Sequence, residues 1–370
     1  MTETHQGGGT PSRRCRRSRY RSASSTLFDW DFYAPSLGLA LEVAESLPII
    51  SRRLTLTRLS YGLRVFLYNG AKPHREHPVS VSFIVYQYGK VASTALVETL
   101  NSMRHVRAHQ CHFFGVEAFQ ATIARLCNPH TNDYFFKHSL GQLTENVRAY
   151  REYHRTDRTD GERFIVVTVA REPFEWFQSA VLQEIEGHLS NFRLALPADL
   201  QQNLSDKELV TTGLALVIER IHQTLDTVDG EVHQLTVRHR RGLIEQMPFN
   251  GAEDFEAFLF ILSRYLQPLI WFKTQFSPEF GVVPAEMEVV GEGLRCAANE
   301  KGPIYLIQYE KMTQAFQQLL QRESLPEKKL KRVNEGARKP LSDEVASAFQ
   351  TPDALRLKAR TRSDISSLFD

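Results

Sequence analysis

Cysteine is scarce in this chain, long apolar runs are missing, and a complete nucleotide-triphosphate loop is lacking; each gap removes a class of protein. Of 370 residues only four are cysteine, Cys15, Cys111, Cys127 and Cys296, scattered without C-x-x-C spacing. That pattern points to neither a zinc site nor a disulfide framework, and it fits a reducing compartment such as the cytoplasm. No apolar run reaches the 18 residues that would mark a membrane span; the nearest, 36–50, is broken by Glu42 and Glu45 and reads as a short amphipathic helix. The N-terminus has no apolar stretch of the kind a secretory signal carries. Strong basicity is also lacking: residues 1–26 hold six arginines and one glutamate (+5), which leaves −3 for the rest of a chain whose net charge is +2. A nucleic-acid partner for the body is therefore not expected.

What is present is ordinary for a globular protein, 24% charged and 42% hydrophobic residues. Residues 1–26, rich in Gly, Ser and Arg, read as a disordered basic tail, either a solvated leader or misassigned start, or a segment able to touch nucleic acid or an anionic membrane surface. Residues 27–35 mix aromatics with Asp29 and Asp31, and 36–70 read as helical or mixed. From Val79 a β–turn–α rhythm sets in. A strand from Val79 is followed by a helix from Ser93, a second strand over Val106–Phe114 and a helix over 116–127. A third apolar run, Tyr134-Phe135-Phe136, is read as a strand ending in Lys137-His138-Ser139, with a polar helix over 142–155. Phe164–Val169 is a further strand, closed by Arg171-Glu172-Pro173, where a helix starts on its proline. Residues 187–268 read as a helical insertion, Ile304–Gln308 as a last strand, and 351–370 as a C-terminal tail. Short apolar strands alternating with helices predict an α/β fold with a mostly parallel sheet covered on both faces.

Three strand ends carry candidate chemistry. In the first, Gly89-Lys90 sits between a strand and a helix that opens with Ser93 and Thr94, a place where backbone N–H groups, the helix dipole and one lysine can hold an anion. A nucleotide-triphosphate loop would need glycine where Ile84 stands and Ser or Thr where Val91 stands, so both requirements fail. The turn is either an anion site without a magnesium ligand or an ordinary connection with a solvated lysine. In the second, Arg171 ends a strand and Ser179 follows eight positions on; either both hold one phosphate or Glu172 neutralises Arg171. In the third, His138 is placed as a general base.

The combination resembles the sulfotransferase superfamily, whose members use 3′-phosphoadenosine 5′-phosphosulfate as sulfuryl donor. Tyr88-Gly89-Lys90-Val91-Ala92-Ser93-Thr94 is similar to its 5′-phosphosulfate loop, Arg171 with Ser179 to its 3′-phosphate pair, and Phe136-Lys137-His138 to its Lys-Thr-His strand end, one residue shorter. The bacterial capsular-polysaccharide-synthesis branch is closer still. Its Gly-Lys-Val-Gly/Ala-Ser turn is matched by Gly89–Ser93 and its Arg-Glu-Pro by Arg171-Glu172-Pro173. Its Trp-Phe segment leading to Phe-Gly is matched by Trp271-Phe272 with Phe280-Gly281, and its late Asn-to-Lys stretch by Asn334–Lys339. The likeness spans Val79 to Phe349. Ala92 stands where glycine is usual, and Gln308-Tyr309-Glu310-Lys311 replaces the commoner Arg-x-Glu-Asp.

The resemblance implies a P-loop-like three-layer α/β/α domain over 27–350. It implies transfer of a sulfuryl group to a hydroxyl or amine of a carbohydrate without a metal. Gly89, Lys90, Val91, Ala92, Ser93 and Thr94 would hold the 5′ end of the donor, with Lys90 at the bridging oxygen, and Arg171, Ser179 and Lys339 (or Arg338) the 3′-phosphate. His138 would be the base, with Glu310, Glu184 and Glu186 in reserve. Two other readings stay open: a magnesium-dependent kinase on the same kind of sheet, and a noncatalytic module that binds an anionic glycan or a partner in polysaccharide assembly.

Overall fold

In Val81–Tyr86 all six side chains are buried, so this strand has protein on both faces, as its run of apolar residues, interrupted by Ser82, requires. A computed structural model describes it within residues 80–116, 118–119, 122, 133–155, 162–197, 200–201, 204–227, 249–331 and 339–369. The readings for 1–26, 27–35 and 36–70, most of the helix expected over 116–127, the 228–248 part of the insertion, Asn334 and Arg338 lie outside those residues. The chain divides into two compact units, Met1–His74 with Phe119–Thr144, and Arg75–Ala118 with Glu145–Asp370.

The second unit holds a six-stranded, mostly parallel sheet made of β1 (Val81–Tyr86), β2 (Val106–Cys111), β3 (Arg163–Ala170), β4 (Glu288–Gly291), β5 (Leu294–Ala297) and β6 (Ile304–Gln308). Its order is β2-β1-β3-β6-β5-β4. β1 pairs in parallel with β2 and β3, and β3 with β6, whereas β5 and β4 run antiparallel at one side. Phe83, Ile84, Val85, Ile165, Val167 and Ile307 fill the centre of the core. Each such side chain contributes roughly 1.5–3 kcal/mol when fully buried. The β4–β5 hairpin was not expected. Its strands are four residues long and half-exposed, so they lack the apolar signature of the central strands, and only the Glu292-Gly293 turn, with Gly293 at φ 67°, marks it.

Helices α1 (Ser93–Leu100), α2 (Asp133–His154), α3 (Pro173–Gln183), α4 (Ile185–Ala195), α5 (Ala215–Thr227), α6 (Ala252–Trp271), α7 (Met312–Arg322), α8 (Ser342–Ala348) and α9 (Pro352–Phe369) complete the fold. The described part of 187–268 is mainly helical, as its periodicity predicted, and the expected C-terminal tail folds as α9. One expectation is overturned. Tyr134-Phe135-Phe136 is not a strand: it lies in the 22-residue helix α2. The spacing Phe136, Leu140, Leu143, Val147, Tyr150 continues the helical repeat of the polar segment back through the aromatic trio, and three residues alone cannot distinguish the two periods.

Gly302, at φ 139° just before β6, is a tight point. A Cβ there would lie 1.9 Å from the Phe164 carbonyl oxygen. Gly302→Ala is expected to lower unfolding stability by at least about 2 kcal/mol, through a backbone region closed to other residues and a clash with β3. Urea denaturation checks this, and a change under 0.5 kcal/mol would contradict it.

Candidate anion-binding site

Going from β1 the chain first builds a neighbour on one side, β2, and later one on the other, β3. The crevice beyond the carboxyl ends of β1 and β3 is therefore the switch point of the sheet, the place where open α/β sheets bind ligands. The 87–92 turn and Arg171 meet there. Arg171 N donates to the Tyr88 hydroxyl (3.0 Å) and Arg171 Nη1 donates to the Lys90 carbonyl (3.1 Å). Trp176 Nε1 of α3 donates to the Gly89 carbonyl (2.8 Å), and Gln267 Nε2 of α6 donates to the Tyr88 carbonyl (3.2 Å). The turn's carbonyls are thus drawn away into the protein.

Its N–H groups are the other half of the arrangement. Gly89, Lys90 and Ala92 adopt φ of 97°, 57° and 57°. For Lys90 and Ala92 the left-handed region costs about 1 kcal/mol each, strain of the kind that concentrates at functional turns. It explains why glycine suits the position Ala92 occupies. Ala92 caps α1 in that left-handed conformation without a side-chain hydrogen bond, so the first N–H groups of α1, at Ser93, Thr94 and Ala95, have no acceptor within the helix.

Buried side chains fix the turn from beneath. Gln87 is fully buried; its Oε1 accepts from Gly89 N, and its Nε2 donates to Ser93 Oγ (2.9 Å). Gln110 Nε2 donates to the same hydroxyl (2.6 Å). Ser93, expected to offer its hydroxyl to a ligand, therefore uses that oxygen as a buried acceptor, while Thr94 is half-buried at the open helix start. Val91 is fully buried. The Trp271-Phe272 segment forms the floor: the Trp271 ring lies 4.7 Å from Tyr86 and 5.5 Å from Tyr88, centroid to centroid. A π-helical turn follows at Phe272–Phe276.

The charges around the turn are mostly positive. Lys90 Nζ lies 3.4 Å from Glu184 Oε1, with about a fifth of its side chain exposed. Burial lowers the Lys90 pKa from the ordinary lysine value; Glu184 opposes that shift, and the charges of Arg264 and Lys339 add to it. Lys339 is thereby placed within electrostatic reach of Lys90. The Arg171 guanidinium sits 4.4 Å above the Tyr309 ring, and its Nε is buried without a hydrogen-bond partner among the described residues. Glu172 does not neutralise Arg171. Its carboxylate caps α3 instead, accepting from Phe174 N (3.2 Å) and Glu175 N (2.8 Å).

Ser179 lies three residues beyond Trp176 on α3, hence on the same stripe, between the contact to Gly89 and Glu184 at the helix end. It is half-buried and makes no side-chain hydrogen bond among the described residues. Among the reserve carboxylates, Glu310 is exposed and accepts from Glu172 N (3.2 Å), and Glu186 is exposed on α4. His138 lies in the second turn of α2, in the other unit, and not at a strand end.

The histidine at a strand end is His112, the first residue beyond β2. Its backbone N–H and that of Phe113 donate to Asn146 Oδ1 (2.8 and 2.9 Å), and its Nδ1 lies 3.3 Å from the Gln87 carbonyl and 3.2 Å from Gln87 Nε2. Among thirteen histidines nothing in the sequence singles it out: β2 carries Arg107, His109 and Gln110, and the place of His112 becomes legible only when β2 is known to adjoin β1.

A surface hollow of about 690 Å³ lies at the opposite, amino-terminal edge of β6, lined by Cys296, Asn299, Tyr305, Arg322 and Glu323 among others. Its buried carboxylate is already satisfied: Glu323 accepts from Arg163 Nη1 (2.7 Å) and from the Tyr305 hydroxyl. The switch-point crevice, by contrast, keeps donors without partners among the described residues: Arg171 Nε and the first N–H groups of α1.

No protein-family model, curated protein or solved structure matches this chain. Among the described residues, no helix is long and apolar enough to cross a membrane.

Proposed function

We propose that the protein is a sulfotransferase of P-loop-like fold that moves a sulfuryl group from 3′-phosphoadenosine 5′-phosphosulfate to a carbohydrate hydroxyl or amine. The observation that carries this reading is the meeting of Lys90, the uncapped start of α1 and Arg171 at the switch point of the sheet. The resemblance of the two motifs to the superfamily supplies the donor. A doubly ended anion fits the residues present: Lys90, the N–H groups of Ser93 and Thr94, and Thr94 itself suit one anionic end, and Arg171, Ser179 and Lys339 the other.

The donor supplies a sulfur that an oxygen nucleophile can attack in line. The chain's part is positioning and electrostatics, as in phosphoryl transfer. The Lys90 ammonium and the N–H groups of α1 stabilise the charge that builds on the leaving phosphate oxygen. His112 takes the acceptor's proton, as the histidine that the end of β2 sets beside Gln87. Gln87 touches both His112 and the turn, so it couples the base to the anion site. The residue after Lys90 is a buried valine with no hydroxyl for magnesium, which favours sulfuryl over magnesium-dependent phosphoryl transfer. Incubating the protein with donor carrying radiolabelled sulfate and a panel of bacterial polysaccharides is expected to label at least one of them. Donor binding without labelling of any acceptor would favour the noncatalytic module.

A further inference from the structure

Glu184 stands out in a crevice suited to anions because it is itself an anion in contact with the key lysine. Its Oε1 lies 3.4 Å from Lys90 Nζ, and its Oε2 lies 3.2 Å from Arg264 Nη2 and 3.9 Å from His188 Nε2. We infer that Glu184 is a built-in competitor: in the ligand-free protein its carboxylate takes the place at Lys90 that an oxyanion of the ligand occupies, and a ligand must displace it. This rests on the anion site of the proposed function but not on the identity of the donor.

Three features support displacement over a permanent ion pair. The Lys90 contact is long for a charge-assisted hydrogen bond, which runs about 2.7–2.9 Å, and Glu184 is a third exposed; such pairs hold weakly. Glu184 also occupies the junction between α3 and α4, at φ −109° and ψ 21°, and although it precedes α4 it does not cap that helix with its side chain. The carboxylate is therefore not tied to its own backbone. A landing place exists as well. Arg264 already touches both carboxylate oxygens. His188 is 4% exposed and its Nδ1 has no partner among the described residues, while its Nε2 is just beyond hydrogen-bond range of Glu184. A small swing away from Lys90 tightens the contacts to Arg264 and His188.

The consequence is selectivity. A small monoanion gains Lys90 alone while the carboxylate remains beside it, and like charges repel. A ligand with several negative charges and a second anchor at Arg171 or Lys339 offsets the displacement. The site therefore selects multiply charged phosphate esters over the abundant simple anions.

The test is calorimetric titration of the full chain with pyrophosphate and, separately, with adenosine 3′,5′-bisphosphate, at fixed pH and ionic strength. Glu184→Gln is expected to bind pyrophosphate about three- to fivefold more tightly than the natural protein, since an exposed pair is worth up to about 1 kcal/mol. Glu184→Asp, one methylene shorter, is expected to fall between, and provides a second reading should the glutamine variant melt early. Glu253→Gln removes the same charge at the far end of α6 and is expected to change affinity less than twofold. The double variant Lys90→Gln/Glu184→Gln is expected to lose the gain. Unchanged or weaker binding in both Glu184 variants, or an equal gain in Glu253→Gln, overturns the inference. So does a lack of binding of either anion by any variant. If Glu184→Gln gains affinity for pyrophosphate while no form binds the bisphosphate, the competitor stands and the proposed donor falls.

Discussion

Lys90→Met is expected to reduce sulfuryl transfer by about a hundred- to a thousandfold, the usual cost of removing one preorganised donor at a developing oxyanion. Methionine keeps the length and apolar stem of lysine, and the main-chain contacts that hold the turn, Trp176 to Gly89 and Arg171 to the Lys90 carbonyl, do not use the side chain. The loss should therefore appear in turnover and in binding of adenosine 3′,5′-bisphosphate without a drop in thermal stability. The pH dependence carries a signature of the same residue. Burial lowers the Lys90 pKa, with Arg264 and Lys339 adding to the effect and Glu184 opposing it; His188 and Arg171 are the other titratable groups close by. The amine accordingly gives up its proton at lower pH than an exposed lysine, and anion affinity falls as pH rises through that depressed value. The ligand-free fold gains stability over the same range, because the unfolded lysine still binds its proton there and the folded one does not. In Lys90→Arg the alkaline fall should vanish. Full turnover in Lys90→Met would remove the lysine from the chemistry.

His112→Ala is expected to lower turnover by about 10²–10⁴-fold, the range spanned by general base catalysis, while bisphosphate affinity changes by less than threefold. The split separates a base from a structural residue, since the backbone N–H of His112, which donates to Asn146, is retained in alanine. His138→Ala serves as the comparison. Loss of turnover in the His138 variant with none in the His112 variant would return the role of base to the residue that the family motif pointed to.

The parts of the site legible in the sequence are those in which one segment carries the whole signal. VSFIVY followed by Gly-Lys and a helical repeat announces a strand, a turn and a helix, and FIVVTVA followed by Arg-Glu-Pro announces a second strand end with a helix starting on its proline. The parallel sheet follows from the alternation of such units. What escaped reading depends on pairing between distant segments. His112 matters only because β2 lies next to β1, and strand order is not written in either strand. Glu184, read only as a reserve base, reaches Lys90 from just past the end of α3, and Arg264 reaches Glu184 from the middle of α6, inside a stretch with helical periodicity and no motif. Arg171 was read as wanting a carboxylate in Glu172 or an anion; the structure gives it a carbonyl and the Tyr309 ring, and gives Glu172 to the helix cap. The aromatic trio before Lys137 misled for a simpler reason. Three apolar residues fit a strand and a helix equally, and the longer repeat running from Phe136 to Tyr150 decided the outcome.

The ligand proposed for the switch-point crevice is a two-ended, metal-free nucleotide anion. Calorimetric titration with adenosine 3′,5′-bisphosphate, set against ATP with magnesium, tests it most directly. Saturable binding of the bisphosphate is expected, weakened at least tenfold by Lys90→Met and by Arg171→Ala, with ATP and magnesium binding more weakly. Absence of bisphosphate binding at millimolar concentration, or tighter binding of magnesium ATP, would contradict it.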